Sequence, residues 1–251
     1  PNVVESLIDY LRGKLGNVAI KIVEADATAM RTKHAFEMLG YTELAKEKGV
    51  ELFNLSTDRI IERKIVVNNK EILFKVPSTI LDADLFINVP KLKTMKATKI
   101  TCALKNIFGC IASPQKVRYH SILHEAIVGI NKILHPHLTI VDGIVALGRF
   151  PAKLNMLIAS KDPFSTDWVA AQIMGYNPSR LGFLKIAKRE KLVHPDKVII
   201  VGENLEDFRQ KFPRHNFMAA TKENLQIRLL KAYCRITGDV LPPIMETPDQ
   251  G

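Results

Sequence analysis

The chain has few cysteines and no long apolar run. Only three of its 251 residues are cysteines, and no two of them have the CxxC spacing that holds an iron–sulfur cluster or a Cys-based zinc site. This sparse, odd number is typical of a reducing compartment. No apolar run reaches the roughly 18 residues of a transmembrane helix, and the first residues show no secretory signal. We therefore expect a cytoplasmic protein with no membrane segment and no iron–sulfur cluster of its own.

Common catalytic and nucleotide-binding motifs are also missing. No GxxxxGK[ST] loop is present and no GxGxxG follows a predicted strand, which excludes the standard nucleotide-binding loops. The sequence has no GxSxG elbow for a nucleophilic serine and no HExxH helix for zinc. A reaction cannot be assigned from motifs of this kind.

The charge balance is strongly basic, and aromatic residues are few. A formal net charge of +10 favours anionic partners, which include phosphates, carboxylates and nucleic acid. Aromatic residues make up 7% of the chain and Trp168 is the only tryptophan. None of the aromatic residues is interleaved with the densest group of lysines, as base stacking would require. A small anionic ligand is therefore favoured, and nucleic acid is the less expected alternative.

Apolar β-branched runs alternate with amphipathic helical stretches along the chain. This order predicts an α/β fold: a mostly parallel sheet with helices on both faces. Residues 64–76 form two further strands, joined through Asn68 and Asn69 in a β-hairpin. We expect one α/β domain over residues 1–240, with its N-terminal strand missing, and a loose C-terminal tail over residues 241–251.

Some individual elements have clear sequence signals. Asp162 and Pro163 are the expected cap and first turn of a helix over residues 164–174. Helical periodicity also predicts helices over residues 100–111 and 222–236. The apolar β-branched run at 198–201 predicts a strand.

The segment after the predicted strand at 85–89 is rich in lysine. Lys91, Lys93, Lys96 and Lys99 repel one another, which favours an extended, solvated loop, and a bound anion would relieve that repulsion. The helix that follows would contribute free N–H groups at its N-terminus. The predicted ligand-binding residues are Asn88, Lys91, Lys93, Thr94, Asn106 and Lys116. The alternative is a lysine-rich surface loop followed by an ordinary amphipathic helix.

Catalytic and metal-binding roles are predicted for a few further residues. Lys105 and His120 are the catalytic candidates, since an imidazole titrates near neutral pH. Asp142, Glu24 and Glu203 each lie at the end of a predicted strand. Asp142, together with Glu24 or Glu203, could hold a divalent cation that bridges to the ligand. The alternatives are a surface histidine and the polar turns that end most strands.

Four stretches together resemble a known family. They read ADLFINVPKLKTMKATKITCALKNIFG, KVRYH, LTIVDGI and LIASKDPFSTDWVAAQIMG, and they are similar to the family called domain of unknown function 362. The elements that match the family pattern are Asn88, Pro90, Lys91, Lys93, Thr94, Lys105, Asn106, Gly109, Lys116, His120, Asp142, Gly143, Asp162 and Asp167. Met95 stands where the family usually has a histidine.

The resemblance implies a site but no settled activity. Many members of this family carry ferredoxin-type cysteine clusters, which this chain lacks, so a redox role of its own is not expected. The leading hypothesis is an enzyme or specific binder for a small anionic metabolite. The alternatives are a nucleic-acid-binding module and an accessory module for an iron–sulfur redox partner. The oligomeric state is not indicated by the sequence.

Overall fold

The computed structural model describes residues 2–27, 30–113 and 115–214. Pro1–Pro213 forms one compact unit, to which the fold and the site belong. Three predictions concern residues outside those described: the domain boundary at 240/241, the C-terminal tail and the helix at 222–236.

Helices and strands are interspersed along the described residues. The helices are α1 (Asn2–Leu15), α2 (Thr32–Met38), α3 (Tyr41–Lys48), α4 (Ser78–Leu81), α5 (Ala103–Gly109), α6 (Leu123–Ile133), α7 (Pro163–Ile173), α8 (Gly182–Arg189) and α9 (Leu205–Lys211). The strands are β1 (Lys21–Glu24), β2 (Glu51–Asn54), β3 (Ile60–Val67), β4 (Lys70–Pro77), β5 (Ile87–Asn88), β6 (Lys91–Met95), β7 (Lys99–Thr101), β8 (Leu138–Leu147) and β9 (Pro151–Ser160). Short 3-10 helices occur at 55–57, 116–122, 178–180 and 195–197.

The strands form three sheets with both kinds of pairing. β1 and β2 are parallel, and β3 and β4 form an antiparallel hairpin. In the five-stranded sheet, β8 is the central strand: it pairs in parallel with β5 and β6 and antiparallel with β9. β7 adds to the free side of β6 in antiparallel fashion. The α/β fold with its β-hairpin is confirmed.

The β3–β4 hairpin turns where the sequence predicts it. Asn68 and Asn69 have φ of 53° and 62°, the left-handed conformation that a two-residue turn needs and that asparagine tolerates. The hairpin is tied to the helical layer because Lys70 and the Asn68 side chain both donate to Glu125 on α6. These bonds fix where the hairpin lies against the domain.

The central helix, α5, is shorter than predicted. Its apolar residues Leu104 and Ile107 are fully buried in the core. Ile100, however, belongs to β7, where it pairs with Thr94 of β6, and the helix begins only at Ala103. The helical periodicity at 100–111 therefore spans the end of a strand as well as a helix. Pairing of β7 with β6 decides the structure at Ile100 against its local helical pattern.

The lysine-rich segment is a β-hairpin rather than a solvated loop. β6 and β7 pair across a turn at 96–98. Leu92 and Ile100 are fully buried, whereas Lys91, Lys93 and Lys99 are exposed. Because lysines alternate with apolar residues, the segment forms a strand with one face in the core. The prediction of a solvated loop was wrong.

The predicted strand at 198–201 is also wrong. No strand of the described residues pairs with this segment, and Ile199 and Val201 are 85% and 87% exposed. Apolar β-branched composition favours a strand, but a strand also requires a partner. Among the described helices, none combines the length and apolarity needed to cross a membrane.

Candidate functional site

Two charged side chains, those of Lys116 and Glu24, lie close to Gly109 at the end of α5. The Lys116 ammonium donates to the Gly109 carbonyl oxygen at 2.5 Å and to that of Asp26 at 3.1 Å. Glu24 Oε1 lies 3.8 Å from the position that a Cβ of residue 109 would take. Glu24, from the end of β1, and Lys116, from the 3-10 helix at 116–122, therefore lie against the same end of α5.

Lys105 and Lys93 bring further positive charge to this place. Lys105 lies four residues before Gly109, so the two share one face of α5. Burial lowers the pKa of Lys105, and the charges of Lys93 and Lys116 lower it further. We call Lys93, Lys105 and Lys116 the lysine cluster. Among the residues that the structure describes, neither Lys93 nor Lys105 forms an ion pair with a carboxylate.

Glu24 is exposed to solvent at the end of β1, within electrostatic range of Lys116 and Lys93. Burial among protein atoms raises the pKa of Glu24, while its bond from the Ala25 N–H and the charges of Lys116 and Lys93 counteract that effect. The residue nevertheless remains accessible to solvent. No lysine approaches Glu24 closely enough for an ion pair within the described residues.

Asn88 and Asn106 form an amide pair that orients α5. Asn88 is buried at the end of β5, where its side chain donates to the Ala103 carbonyl oxygen at 3.0 Å. Its own oxygen accepts from the Asn106 side chain at 2.8 Å. Both polar atoms of Asn88 are therefore engaged with α5, and the side chain holds the helix against the sheet, whereas Asn106 is itself exposed.

Two more of the predicted ligand-binding residues already have partners. Lys91 forms an ion pair with Asp142 at 2.9 Å, and Asp142 also accepts from the Ile144 N–H. Thr94 donates to the Gly148 carbonyl oxygen at 3.2 Å. These contacts join β6 to β8 and leave Lys91 neutralised.

Tyr41, at the start of α3, is a site residue that the sequence did not reveal. Burial raises the pKa of Tyr41, and the negative charges of Asp142 and Glu24 raise it further. Its hydroxyl is therefore within electrostatic range of both carboxylates. The only local signal is Gly40, whose φ of 73° lets the chain turn into α3 there.

The N-terminus of α5 does not bind an external anion, contrary to the prediction. The carboxylate of Asp167, which is completely buried on α7, accepts from the N–H groups of Ala103 and Leu104 at 2.7 and 3.1 Å. Burial raises the pKa of Asp167 to about 7. The N–H groups that the sequence analysis assigned to a ligand are thus satisfied by the chain's own carboxylate.

The cysteines around α5 are not activated. Burial, together with the charge of Glu24, raises the pKa of Cys110 to about 12, although Lys116 opposes the effect. Cys102 is buried beside Asp167, and burial raises its pKa well above the usual value. Because the thiolate is the reactive form, neither cysteine is a nucleophile near neutral pH.

His120 is exposed on the 3-10 helix at 116–122. Within the described part of the chain, no hydrogen bond or ion pair joins it to the lysine cluster. His124 is engaged elsewhere, against Gly182 and with its ring 6.3 Å from that of Phe183. The catalytic role of His120 stays a prediction.

The predicted metal residues are not brought together as one cluster. Glu24 and Asp142 both lie near Tyr41. Glu203 instead lines a separate cavity of about 390 Å³ between β9, α7 and the 198–203 segment. Residues 2–27, 30–113 and 115–214 contain no group of three His, Cys, Asp or Glu side chains arranged for a metal. A divalent cation held by Glu24 and Asp142 stays a prediction.

That separate cavity offers few charged groups. Its lining combines apolar residues such as Ile158, Val169 and Phe208 with hydroxyls at the start of α7. None of the lysine cluster lines it. The candidate functional site is therefore the group of charged side chains near Gly109, formed by Glu24 and the lysine cluster.

Comparison with known proteins gives a family but no activity. The thylakoid-associated protein sll1697 of Synechocystis sp. is 31% identical over 122 residues, which cover 43% of this chain and 38% of that protein. The chain thus spans well under half the length of this curated relative. No solved structure matches the chain. Residues 1–172, which include the lysine cluster and Glu24, match the family described as domain of unknown function (DUF362), and the chain belongs to that family.

Proposed function

We propose that the protein is an enzyme or specific binder for a small anionic metabolite, which carries a phosphate or carboxylate group. The observation that carries this proposal is the pair Lys93 and Lys105. Their charges lie within electrostatic range of each other, and no carboxylate pairs with either of them in the described residues. Lys105 is half-buried, and partial burial of an unpaired ammonium is unfavourable, so the fold maintains a positive charge there that an anion would neutralise.

The third lysine is held in place before any ligand arrives. Lys116 donates to two backbone carbonyl oxygens, those of Gly109 and Asp26. These two hydrogen bonds fix the direction of the third N–H of its ammonium group. A positioned donor loses less conformational entropy on binding than a flexible one. The site therefore combines one fixed lysine with two lysines free to adjust to the ligand.

A small ligand is favoured over nucleic acid by the extent of the charge. The unpaired lysines lie within one short stretch of the chain, residues 93–105, and aromatic side chains suitable for base stacking are absent from the lysine-rich segment. A protein that contacts several duplex phosphates loses affinity with a slope of about −0.9 per phosphate in log–log salt plots. Binding at one small site gives a shallower slope.

The test is a titration of inorganic phosphate, phosphorylated metabolites and carboxylates, followed by calorimetry and by thermal shift. Lys105→Met should weaken anion binding roughly 10- to 100-fold, because a hydrogen bond to a charged group contributes about 1.5–3 kcal/mol. Lys185→Met removes an exposed lysine of α8 and should leave binding unchanged. Duplex and single-stranded oligonucleotides are titrated in parallel. Stabilisation by oligonucleotides alone, undiminished in Lys105→Met, would refute the proposal.

The cytoplasm is the proposed compartment. The sparse cysteines support a reducing environment, whereas the relative from Synechocystis is described as thylakoid-associated. Cell fractionation with an antibody to the protein decides between the soluble fraction and a membrane-bound one.

A further inference from the structure

We propose that the exposed face of strands β6, β7, β8 and β9 binds peripherally to an anionic lipid membrane surface. Strand pairing on this face sets lysines beside aliphatic side chains. Peripheral binding of this kind needs no membrane-spanning segment and is reversible, so it is compatible with a cytoplasmic protein. The inference does not rest on the proposed function, because its test changes Lys99 and Lys153, which lie outside the lysine cluster.

Strand register places three lysines next to three aliphatic residues. Residues that lie directly opposite each other on paired strands have side chains on the same face of the sheet. Three such pairs each combine a lysine with an aliphatic residue: Lys93 with Leu147 between β6 and β8, Lys99 with Met95 between β7 and β6, and Lys153 with Val145 between β9 and β8. We call these six residues the lysine–aliphatic surface.

The three pairs form one continuous surface because they share strands. Lys93 and Met95 are two residues apart on β6, and Val145 and Leu147 are two residues apart on β8. Side chains two residues apart on a strand point to the same face. Each strand therefore joins one pair to the next, from β7 across to β9.

The aliphatic side chains of this surface are exposed, although the strands that carry them are part of the core. Leu92 and Ala146, which point to the opposite face of β6 and β8, are completely buried. Met95, Val145 and Leu147, by contrast, are 40%, 40% and 41% exposed. Aliphatic side chains that are exposed as a group, rather than singly, mark an interaction surface.

The charge of this region has a single sign. Neither residues 85–124 nor residues 143–161 contain an aspartate or a glutamate. Lys93, Lys99 and Lys153 are exposed, and none of them forms an ion pair within the part of the chain that the structure describes. The partner that complements this charge is negatively charged.

The combination of lysines with aliphatic residues favours a lipid surface over other anionic partners. Aliphatic side chains can enter the boundary between headgroups and acyl chains while the ammonium groups stay at the anionic headgroups. Single-stranded nucleic acid would instead require aromatic rings that stack on bases, and the lysine–aliphatic surface contains none. Protein interfaces are typically poor in lysine and rich in arginine and aromatic residues.

The experiment measures sedimentation of the protein with vesicles of phosphatidylcholine alone and with vesicles that contain about one-quarter phosphatidylglycerol. The protein should sediment with the anionic vesicles and remain in the supernatant with the neutral ones. The double variant Lys99→Gln/Lys153→Gln should bind the anionic vesicles about 10- to 30-fold more weakly, because each lysine near an anionic surface contributes about fivefold.

A second double variant tests the aliphatic part of the surface. Val145→Ser/Leu147→Ser should weaken binding to the anionic vesicles. The binding that remains should be more sensitive to salt than that of the wild type, because salt screens the charges and leaves the aliphatic contact intact. Lys33→Gln/Lys185→Gln and Met38→Ser change exposed side chains of α2 and α8 and should bind like the wild type. Circular dichroism of each variant establishes that a loss of binding is not a loss of folding.

Three results would overturn the inference. They are equal binding to neutral and anionic vesicles, no binding to either, and binding of Lys99→Gln/Lys153→Gln as tight as that of the wild type. Duplex and single-stranded oligonucleotides are titrated in parallel. If the oligonucleotides bind and the vesicles do not, the surface recognises nucleic acid and the inference is wrong. None of these results bears on the proposed function, which is tested by Lys105→Met.

Discussion

Two positive groups belong to α5, its N-terminal N–H groups and the Lys105 side chain, and the protein treats them differently. At the N-terminus, the N–H groups of Ala103 and Leu104 bind the carboxylate of Asp167, which is completely buried. The Lys105 side chain, by contrast, lies within electrostatic range of Lys93 and Lys116, and the described residues provide no ion pair for it. The N–H groups are satisfied by the chain itself, and the proposed function assigns Lys105 to a ligand.

This difference separates a structural charge from a functional one. A buried carboxylate on helix N–H groups fixes α7 against α5, so its contribution is measured in folding stability. An unpaired, half-buried lysine such as Lys105 destabilises the protein slightly, and the proposed function explains why it is retained. Variants at Asp167 and at Lys105 should therefore have opposite effects on stability.

The largest effect is expected for Asp167→Ala. The substitution leaves two buried N–H groups without an acceptor, and each such group costs about 1–3 kcal/mol, so the free energy of unfolding should fall by roughly 2–5 kcal/mol. Urea denaturation followed by circular dichroism measures this change. Asp84→Ala removes an exposed carboxylate and should change stability by less than about 0.5 kcal/mol. Equal stability of Asp167→Ala and the wild type would refute a structural role for the N-terminal end of α5.

The second prediction is that Asp167 makes the free energy of unfolding depend on pH. Burial raises the pKa of Asp167 to about 7 from the usual 3.8. Between these values the folded protein retains a proton that the unfolded chain has released, so the contribution of Asp167 to stability is lost as pH rises through this window. The stability difference between the wild type and Asp167→Asn should decrease by up to about 1.4 kcal/mol per pH unit. Denaturation at pH 4.5, 6 and 8 measures it, and a difference independent of pH would show that Asp167 is ionised throughout.

The smallest effect is expected for Lys105→Met, and it has the opposite sign. Burial lowers the pKa of Lys105 below 10.5, which means that the folded state disfavours the charge. At pH 7 the side chain is charged in both states, so removing the charge should increase stability by about 0.5 kcal/mol. This gain should disappear above pH 10.5, where the wild-type amine is neutral in both states.

Comparison of Lys105→Met with Lys185→Met isolates the effect of burial. Lys185 is exposed on α8, so its replacement should leave the dependence of stability on pH unchanged. A destabilised Lys105→Met would show instead that the ammonium group, which lies 5.5 Å from the Phe108 ring centre, contributes to the fold.

Several elements could be predicted because their signals are local. The Asn68–Asn69 turn is set by the conformational preference of asparagine itself. The helix α7 begins at Pro163 because Asp162 accepts from the N–H groups of Phe164 and Ser165, a contact that spans only three residues. In both places the residues that carry the signal also make the contacts.

Other elements could not be predicted, because their partners are distant in sequence. Ile100 is in a strand because Thr94 of β6 pairs with it, and the helical periodicity of 100–111 does not record that pairing. The 198–201 run has the composition of a strand, but none of the described strands pairs with it. Local patterns give the preference of a segment, whereas its neighbours decide whether that preference is realised.

The sequence by itself determined the chemistry available to the site: a concentration of lysines and asparagines between residues 88 and 116, and no motif for a standard nucleotide loop. Only the tertiary structure decided which of those groups remain free. Asp142 neutralises Lys91 from 51 residues away, and Asp167 satisfies the start of α5 from 64 residues away. Glu24, at the end of the first strand, lies within electrostatic range of Lys93 and Lys116, and Tyr41 of the third helix lies within range of Glu24 and Asp142. Electrostatic pairing depends on distance in space, which the order of residues along the chain does not specify.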